Sequence, residues 1–370
     1  MILNEVGPAT RALLERDGFD AEPFDLLRAS LVAGRLVPGA NVVAGTVEPT
    51  EPGDLTVMPM PGQPGFEEAF VAGVEALRAG SVAVVVLAGG MATRFGGGVK
   101  AVATAIDGRS FLEVKLEETR RVATALDCEI PETVMTSFAT DEAVARHLVE
   151  RRLGEPLRFV QPAAPRLRPD GSLFLGVDGH PSLYGQGHGD LFSAIRRSGV
   201  LDLLVQRGVR TVVVSNVDNL GARIDPGIVG MHLLAGTPLT VEVVSKQSDT
   251  GGAPARVDGR PRLLEAMQFP PGFDQERVPV FNTNTSLITV EALAAPGDLT
   301  WLVVEKSVAG EPVIQFERLY HEISAHVTTS FLVVPRVGPR GRFLPVKELA
   351  DLAGIEPRLR EMLAASPVSR

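Results

Sequence analysis

A single cysteine, Cys128, stands in 370 residues. One thiol makes neither an internal disulfide nor a cysteine-rich metal site. Basic charge is also short: 36 Lys and Arg face 45 Asp and Glu, a net charge of −9. Proteins that grip nucleic-acid polymers or anionic membranes carry a basic excess or patch, so neither partner is expected. Long apolar runs are missing too. The longest, Val82 to Ala88, falls far short of the roughly 20 residues that a membrane helix needs. The first residues carry Glu5 and no basic segment leading into an apolar core, so no signal peptide is expected. No glycine period of three marks collagen, no segment repeats, and no long polar tract marks disorder. These absences leave a soluble globular protein, expected in the cytoplasm.

Glycine and proline are in excess. Their 38 and 28 residues make up just under a fifth of the chain, against an ordinary share of roughly 12%. Many tight turns follow from that. The length suggests about two domains. Residues 1–80 read as two short helices, Pro8–Arg16 and Pro23–Ala33, a loop rich in proline and glycine from Val47 to Gly65, and an amphipathic helix from Glu67 to Arg78. From Val82 the period changes. Val82–Ala88 is a continuous β-branched run, as in a strand buried on both faces. Short apolar runs follow at Thr133–Met135, Leu157–Val160, Thr211–Val214, Leu239–Val244, Ser286–Thr289 and Leu302–Val304. Helical patterns separate several of them, at Phe111–Leu126, Asp141–Arg152, Leu191–Gln206 and Pro226–Leu234. Such alternation predicts an α/β fold with a mainly parallel sheet. Asp258-Gly259 predicts the turn of a hairpin over Arg256–Arg260.

Five glycines fall between Gly89 and Gly98, directly after the first buried strand. A loop without side chains lets backbone N–H groups surround phosphate oxygens. Arg94 and Lys100 add charge that suits a triphosphate. Two common phosphate loops are excluded. Lys100 lies between Val99 and Ala101, so there is no Walker A motif, and the stretch holds no G-x-G-x-x-G. The second absence disfavours a NAD-dependent oxidoreductase. No nucleophile elbow and no Ser/His/Asp set is present either.

Leu87-Ala-Gly-Gly-Met-Ala-Thr-Arg94, with Lys100 beyond, resembles the L-A-G-G-x-G-T-R…P-K loop of sugar-1-phosphate nucleotidylyltransferases. Ala92 and Val99 depart from it. Further segments resemble the UTP–glucose-1-phosphate uridylyltransferase family in order: Met135-Thr-Ser-Phe-Ala-Thr140, Phe159-Val-Gln161 with Pro165-Arg166, Gly187-His-Gly-Asp190, and Asn216-Val-Asp-Asn-Leu-Gly221. Then come Glu242 to Lys246 with Gly251-Gly252 and Glu265, Asn282-Thr-Asn284, Val313-Ile-Gln-Phe-Glu317, and Arg342-Phe-Leu-Pro-Val-Lys347 with Asp351. The turn at His188 and Asp190 suits the glucose-1-phosphate branch better than the N-acetylhexosamine branch.

The resemblance implies a Rossmann-like, GT-A-like nucleotidyltransferase, a three-layer sandwich with a mixed, mainly parallel sheet. It divides the chain into an N-terminal helical region and linker (1–80), a catalytic domain (81–335) and a short C-terminal segment (336–370). It implies uridylyl transfer from UTP to a sugar 1-phosphate, with UDP-sugar and pyrophosphate as products and Mg2+ as cofactor. Arg94, Lys100 and Lys347 would be catalytic. Ala88, Gly89, Gly90, Met135, Gln161 and Gly187 would hold the nucleotide, the Gln161 amide reading the donor and acceptors of uracil. His188, Asn216, Lys246, Glu265, Asn282 and Asn284 would hold the sugar phosphate, and Asp218 the metal. Read without the family, Asp218 is a turn or cap residue, His188 a turn histidine, Asn282 and Asn284 turn residues, and Met135 core. Lys306 is a weaker phosphate candidate; Glu311, His321 and His326 read as surface or packing residues. The alternatives are another sugar 1-phosphate, galactose or N-acetylglucosamine, and a nucleotide-sugar-binding protein without catalysis, which the departures at Ala92 and Val99 suggest. Eukaryotic members carry a C-terminal β-helix after the F-L-P-V-K segment. A short form is expected here, one or two helices after Lys347, without the oligomer contacts of that extension.

Overall fold

The computed structural model describes residues 1–90, 98–247, 249–366 and 368. Eight strands of the described residues pair into one sheet. They are β1 (Leu55–Val57), β2 (Val82–Leu87), β3 (Glu132–Thr136) and β4 (Leu157–Val160). β5 (Thr211–Asn216), β6 (Leu239–Ser245), β7 (Val280–Thr289) and β8 (Thr329–Val333) complete it. The order is β1-β8-β6-β7-β5-β2-β3-β4. β5, β2, β3 and β4 run parallel, as do β6, β8 and β1. β7 lies between these groups and is antiparallel to both neighbours.

The helices are α1 (Pro8–Arg16), α2 (Ala21–Val32), α3 (Phe66–Arg78), α4 (Phe111–Leu126) and α5 (Asp141–Glu150). They continue with α6 (Leu191–Arg197), α7 (Val200–Gln206), α8 (Pro226–Ala235), α9 (Val290–Ala294) and α10 (Leu349–Ala364). Every residue of β2 is buried, and its side chains alternate between two cores. Ala83 and Val85 join apolar residues of α6 and α7. Val82 and Val84 join those of α3, α4 and α8 on the other face. Helices therefore cover both faces of a mixed, mostly parallel sheet, which is the α/β fold expected. No helix of the described residues is long and apolar enough to cross a membrane.

Local sequence explains several boundaries. Ser110 caps α4, its hydroxyl accepting from Glu113 N–H (3.1 Å) while the Glu113 carboxylate accepts from Ser110 N–H (2.6 Å). This is a capping box. α3 packs on α8 through two glycines. A Cβ on Gly73 would lie 1.8 Å from the Pro226 carbonyl oxygen, and one on Gly230 1.6 Å from that of Ala69. α1 and α2 form a separate apolar cluster, where Leu14 and Phe24 meet Leu167, Ile314 and Phe316. Leu359 and Met362 of α10 pack with Ile106, Val114 and Leu344.

The differences from the sequence reading have local causes. The helix expected over Leu191–Gln206 is two, broken where Gly199 takes φ +75°. The run at Leu302 extends to Val308 and pairs with Glu311–Glu317 in a separate ribbon rather than in the sheet. Ser286–Thr289 is the end of a ten-residue strand. β1 lies inside the stretch read as a loop, a three-residue edge strand too short to show a period. β8 was not anticipated. The hairpin turn at Asp258-Gly259 forms, both residues with positive φ.

Candidate functional site

β2 and β5 lie side by side, with Leu87 opposite Asn216 at their carboxyl ends. From β2 the chain proceeds to β3 and β4 on one flank, then crosses to β5 on the other. Ligands of open α/β sheets gather at such a switch point. A cavity of about 500 Å3 opens there. Gly89, Gly90, Lys100, Met135, Gln161, Gly187, His188, Asn216 and Asp218 all line it. Nine positions spread over 130 residues of sequence thus share one wall.

Part of the wall is backbone and glycine packed closely around one amide. Ala88 is buried, its N–H donating to the Met135 carbonyl (2.7 Å), so it fixes the start of the glycine loop rather than facing the cavity. The Ser137 hydroxyl donates to the Gly89 carbonyl (2.8 Å) and holds the next residue. The Gln161 amide is confined between Gly89 and Gly185, where added Cβ atoms would come within 2.8 and 2.2 Å of its nitrogen. Gly187 has φ +92°, and a Cβ there would lie 2.4 Å from the Arg318 carbonyl oxygen. Only glycine fits that bend. Arg94 lies outside the described residues.

Elsewhere on the wall, Lys100 Nζ donates to Asp218 Oδ2 (2.8 Å) and to the Val346 carbonyl (2.8 Å). The Asp218 turn is braced from several sides. The Asn219 side chain accepts from Leu344 N–H (2.9 Å) and Gly221 N–H (3.2 Å) and donates to the Arg342 carbonyl (3.2 Å). Beneath it, the buried Lys115 ammonium binds Ser215 Oγ (2.8 Å) and the Ala222 carbonyl. Burial pushes the Lys115 pKa down to about 7. Among the described residues, no group of three or more His, Cys, Asp or Glu could hold a metal. Asp218 offers one carboxylate to the cavity beside Lys100. That donor set suits Mg2+, which keeps several waters and takes phosphate oxygens, and does not suit a closed zinc site.

His188 is half-buried, and its Nδ1 accepts from Tyr320 N–H (3.1 Å). The ring proton therefore sits on Nε2, on the ring's free edge. Burial pushes its pKa down to about 4, so the ring is neutral at pH 7. Behind it the buried Asp190 pairs with Arg318 (2.5 Å), and burial still pushes its pKa up to about 6.

Asn282 and Asn284 sit on a break in β7. The β6 ladder pairs Glu242 with Thr285 and then Val243 with Asn282, so Thr283 and Asn284 are looped out. Asn284 takes φ +57°. Both asparagines line a second cleft of about 350 Å3, which meets the first at Asn216 and Asp218. Lys347 also lines that second cleft, but is exposed rather than enclosed by Phe343 to Val346. Glu265 lines neither cavity. It stands against Gly252, where a Cβ would lie 3.0 Å from its carboxylate, and burial pushes its pKa up to about 7. Lys246 is turned away from both clefts. Its ammonium binds the Gln275 carbonyl (2.9 Å) and Glu276 (3.0 Å).

The first cavity also holds residues that were not singled out: Arg166, Ser137, Gln315 and Glu317. With its amide turned to satisfy both ends, Gln315 accepts from Arg166 Nε (2.7 Å) and donates to Glu317 (3.1 Å). All four lay within segments already quoted as motifs, Ser137 in the run after Met135, Arg166 in Pro165-Arg166, and Gln315 and Glu317 in Val313–Glu317. That was the signal available. Lys306 reaches this wall as well, 3.8 Å from Glu317.

Comparison with known proteins gives a consistent picture. The model of the UTP–glucose-1-phosphate uridylyltransferase family matches residues 72–364. The chain is similar to the UTP–glucose-1-phosphate uridylyltransferase of Saccharomyces cerevisiae, 32% identical over 294 residues, which cover 73% of this chain and 58% of the relative. It is 31% identical over 290 residues to that of Solanum tuberosum, covering 73% and 60%. The chain thus spans less than two thirds of the length of the curated relatives it matches. Among solved structures, a Trypanosoma brucei UDP-glucose phosphorylase aligns with a TM-score of 0.72 at 24% identity, over 94% of this chain and 78% of that one. A uridine diphosphate N-acetylglucosamine pyrophosphorylase from the same organism aligns with a TM-score of 0.77 at 19% identity, over 95% and 80%.

Proposed function

The chain belongs to the UTP–glucose-1-phosphate uridylyltransferase family, and on that premise we propose that it makes UDP-glucose and pyrophosphate from UTP and glucose 1-phosphate. The carrying observation is the single cavity at the ends of β2 and β5. It joins a side-chain-free strand end, a confined amide, a neutral imidazole and a Lys–Asp pair. The relatives' names supply the substrates.

In this reading an oxygen of the sugar phosphate attacks the α-phosphorus of UTP. The bond from that phosphorus to the bridging oxygen breaks, and pyrophosphate leaves with the electron pair. The nucleophile is already an anion, so no side-chain base is needed, and the work is positioning and charge neutralisation. Gly89 and Gly90 offer backbone N–H groups to phosphate oxygens. Gln161 reads the uracil edge, and Gly187 lets the ring come close to the backbone. His188 donates from Nε2 to the sugar phosphate. Lys100 stands at 2.8 Å from Asp218 and next to the reacting phosphates. Asp218 would hold Mg2+ together with phosphate oxygens, and the ion would spread the charge that develops on the α-phosphate. Asn216, Asn282, Asn284 and Glu265 are assigned to the sugar side, Lys347 to the leaving phosphates and Arg94 to the triphosphate. The division into a 1–80 region, an 81–335 catalytic domain and a C-terminal segment belongs to the same reading, as does the cytoplasmic setting, which a lone cysteine suits.

The test is pyrophosphate release by the purified chain with Mg2+, UTP and a panel of sugar 1-phosphates. Glucose 1-phosphate should be turned over fastest. Faster turnover of the galactose or N-acetylglucosamine ester would move the assignment to that sugar. Binding of UTP or UDP-glucose with no release from any ester would make this a binding protein.

A further inference from the structure

Glu317 ends the strand Glu311–Glu317 and lines the cavity at the ends of β2 and β5, with 20% of its side chain exposed. Its two oxygens are in different states. With Gln315 turned as above, Oε1 accepts from that amide (3.1 Å) and stands 3.8 Å from Lys306 Nζ. Among the described residues nothing donates a hydrogen bond to Oε2, and it is not one of the polar atoms sealed inside the protein. A carboxylate oxygen open to a cavity and without a donor has room for one from a ligand.

The side chain is held in place by a chain of contacts. Arg166 Nε donates to the Gln315 carbonyl oxygen (2.7 Å), and Arg166 Nη1 donates to Ser182 Oγ (2.9 Å) and to the Leu183 carbonyl. Burial raises the Glu317 pKa, while Lys306 and Arg166 favour its charged form. The position is equally fixed. Arg318 N–H donates to the Gln186 carbonyl (2.8 Å), which sets Glu317 beside the bend at Gly187. Ser182 and Leu183 lead into Gly185, against which the Gln161 amide packs. Glu317 therefore stands at the part of the cavity assigned above to the uridine nucleotide. Asn282 and Asn284, assigned to the hexose, line the other cleft.

A charged carboxylate only accepts hydrogen bonds, and it repels phosphate. Uracil has a single N–H donor, which Gln161 matches in the reading above. The ribose hydroxyls are the donors of a uridine nucleotide that remain. We propose that Glu317 is a specificity-determining residue for the nucleotide, its Oε2 accepting from a ribose hydroxyl and so selecting against nucleotides that lack it. This rests on the nucleotide placement in the uridylyl-transfer reading. A site that hydrogen-bonds a hydroxyl rejects the analogue lacking it, because its own polar group is then left unpaired.

The test compares UTP, 2′-deoxy-UTP and 3′-deoxy-UTP on the native enzyme, Glu317→Ala and Glu317→Gln, by pyrophosphate release and by calorimetric binding. For the native enzyme one deoxynucleotide should be at least about tenfold poorer than UTP in kcat/KM and in affinity, the scale of one hydrogen bond to a charged group. Glu317→Ala should weaken UTP by a similar factor and bring UTP and that deoxynucleotide within about twofold of each other. KM for glucose 1-phosphate should stay within about twofold of the native value. Glu317→Gln, equal in size and without the charge, should discriminate by an intermediate factor, and it carries the test if Glu317→Ala does not fold. Equal use of UTP and both deoxynucleotides by the native enzyme, native discrimination retained in both variants, or a rise in KM for glucose 1-phosphate as large as that for UTP would each overturn the proposal. Binding of UTP with no pyrophosphate release overturns the uridylyl-transfer reading, and the calorimetric comparison still decides this one. Pyrophosphate release with no discrimination among the three nucleotides overturns this one alone.

Discussion

Asp218 lies in the turn that Lys115 of α4 holds, and the two do opposite things. Asp218 faces the cavity, whereas Lys115 grips the turn from below. Asp218→Asn keeps the size of the side chain and removes the charge that would hold a cation. We expect kcat to fall by at least about a hundredfold, on the scale of losing one electrostatic group, with the melting temperature nearly unchanged. Steady-state pyrophosphate release and a thermal melt check both halves. Lys115 bears on stability instead. Its ammonium loses its proton at about 7 in the fold, against about 10.4 in an unfolded chain. Between those values the unfolded state binds more protons, so raising the pH favours the fold. The stability of the native protein relative to Lys115→Met should therefore grow from pH 7 to pH 10, by up to about 1.4 kcal/mol per pH unit. Urea titrations of both proteins across that range measure it. At this scale the sequence was legible where a motif named a residue type, as at Gln161, Gly187 and His188, which share one wall. It was not legible for Lys115, nor for which oxygen of Glu317 is unpaired, because burial and pairing are properties of packing and leave no mark on spacing.

The elements carry the glycine contacts. On α8, Gly230 meets the backbone of α3 so closely that one methyl group cannot be added without moving a helix. Gly230→Ala should lower stability by about 3 kcal/mol or more, at the upper end of overpacking costs, and Ala69→Gly should not rescue it, because the clash is with a carbonyl. Chemical denaturation of the single and double variants decides this. Most of the helices and the strands β2 to β6 were readable from period and caps, β2 and α4 most plainly. The strands that escaped were governed by partners rather than by their own residues. β1 has three residues and depends on β8 for its pairing. Leu302–Val308 has a strand pattern, but nothing in it says that its mate is Glu311–Glu317 instead of the central sheet.

At the scale of the whole molecule, buried titratable groups set the response to acid. His188 and His232 hold pKa values of about 4, and that of His321 is lowered well below the ordinary value. Below about pH 6.5 the unfolded histidines take protons that the folded ones refuse, so each lowers stability as pH falls. Asp190 and Glu265, raised to about 6 and 7, act in the opposite sense, because the fold keeps their protons where the unfolded chain releases them. His232 lies on α8, buried against Thr240 of β6 and outside both clefts. The advantage of the native protein over His232→Gln should shrink between pH 7 and pH 5, as urea midpoints at the two values would show. One feature of the sheet reaches furthest. β7 departs from its ladder by two residues, Thr283 and Asn284, and two is an even number. Side chains before and after the interruption therefore keep their faces, since a strand alternates with period two. A chain lacking this pair could zip β7 against β6 without a break and leave every core residue on its own side. The sheet has no architectural need for the interruption. It is a detachable module, and a fold of this kind can gain, lose or reshape its asparagine-bearing loop without rewriting the core on either side.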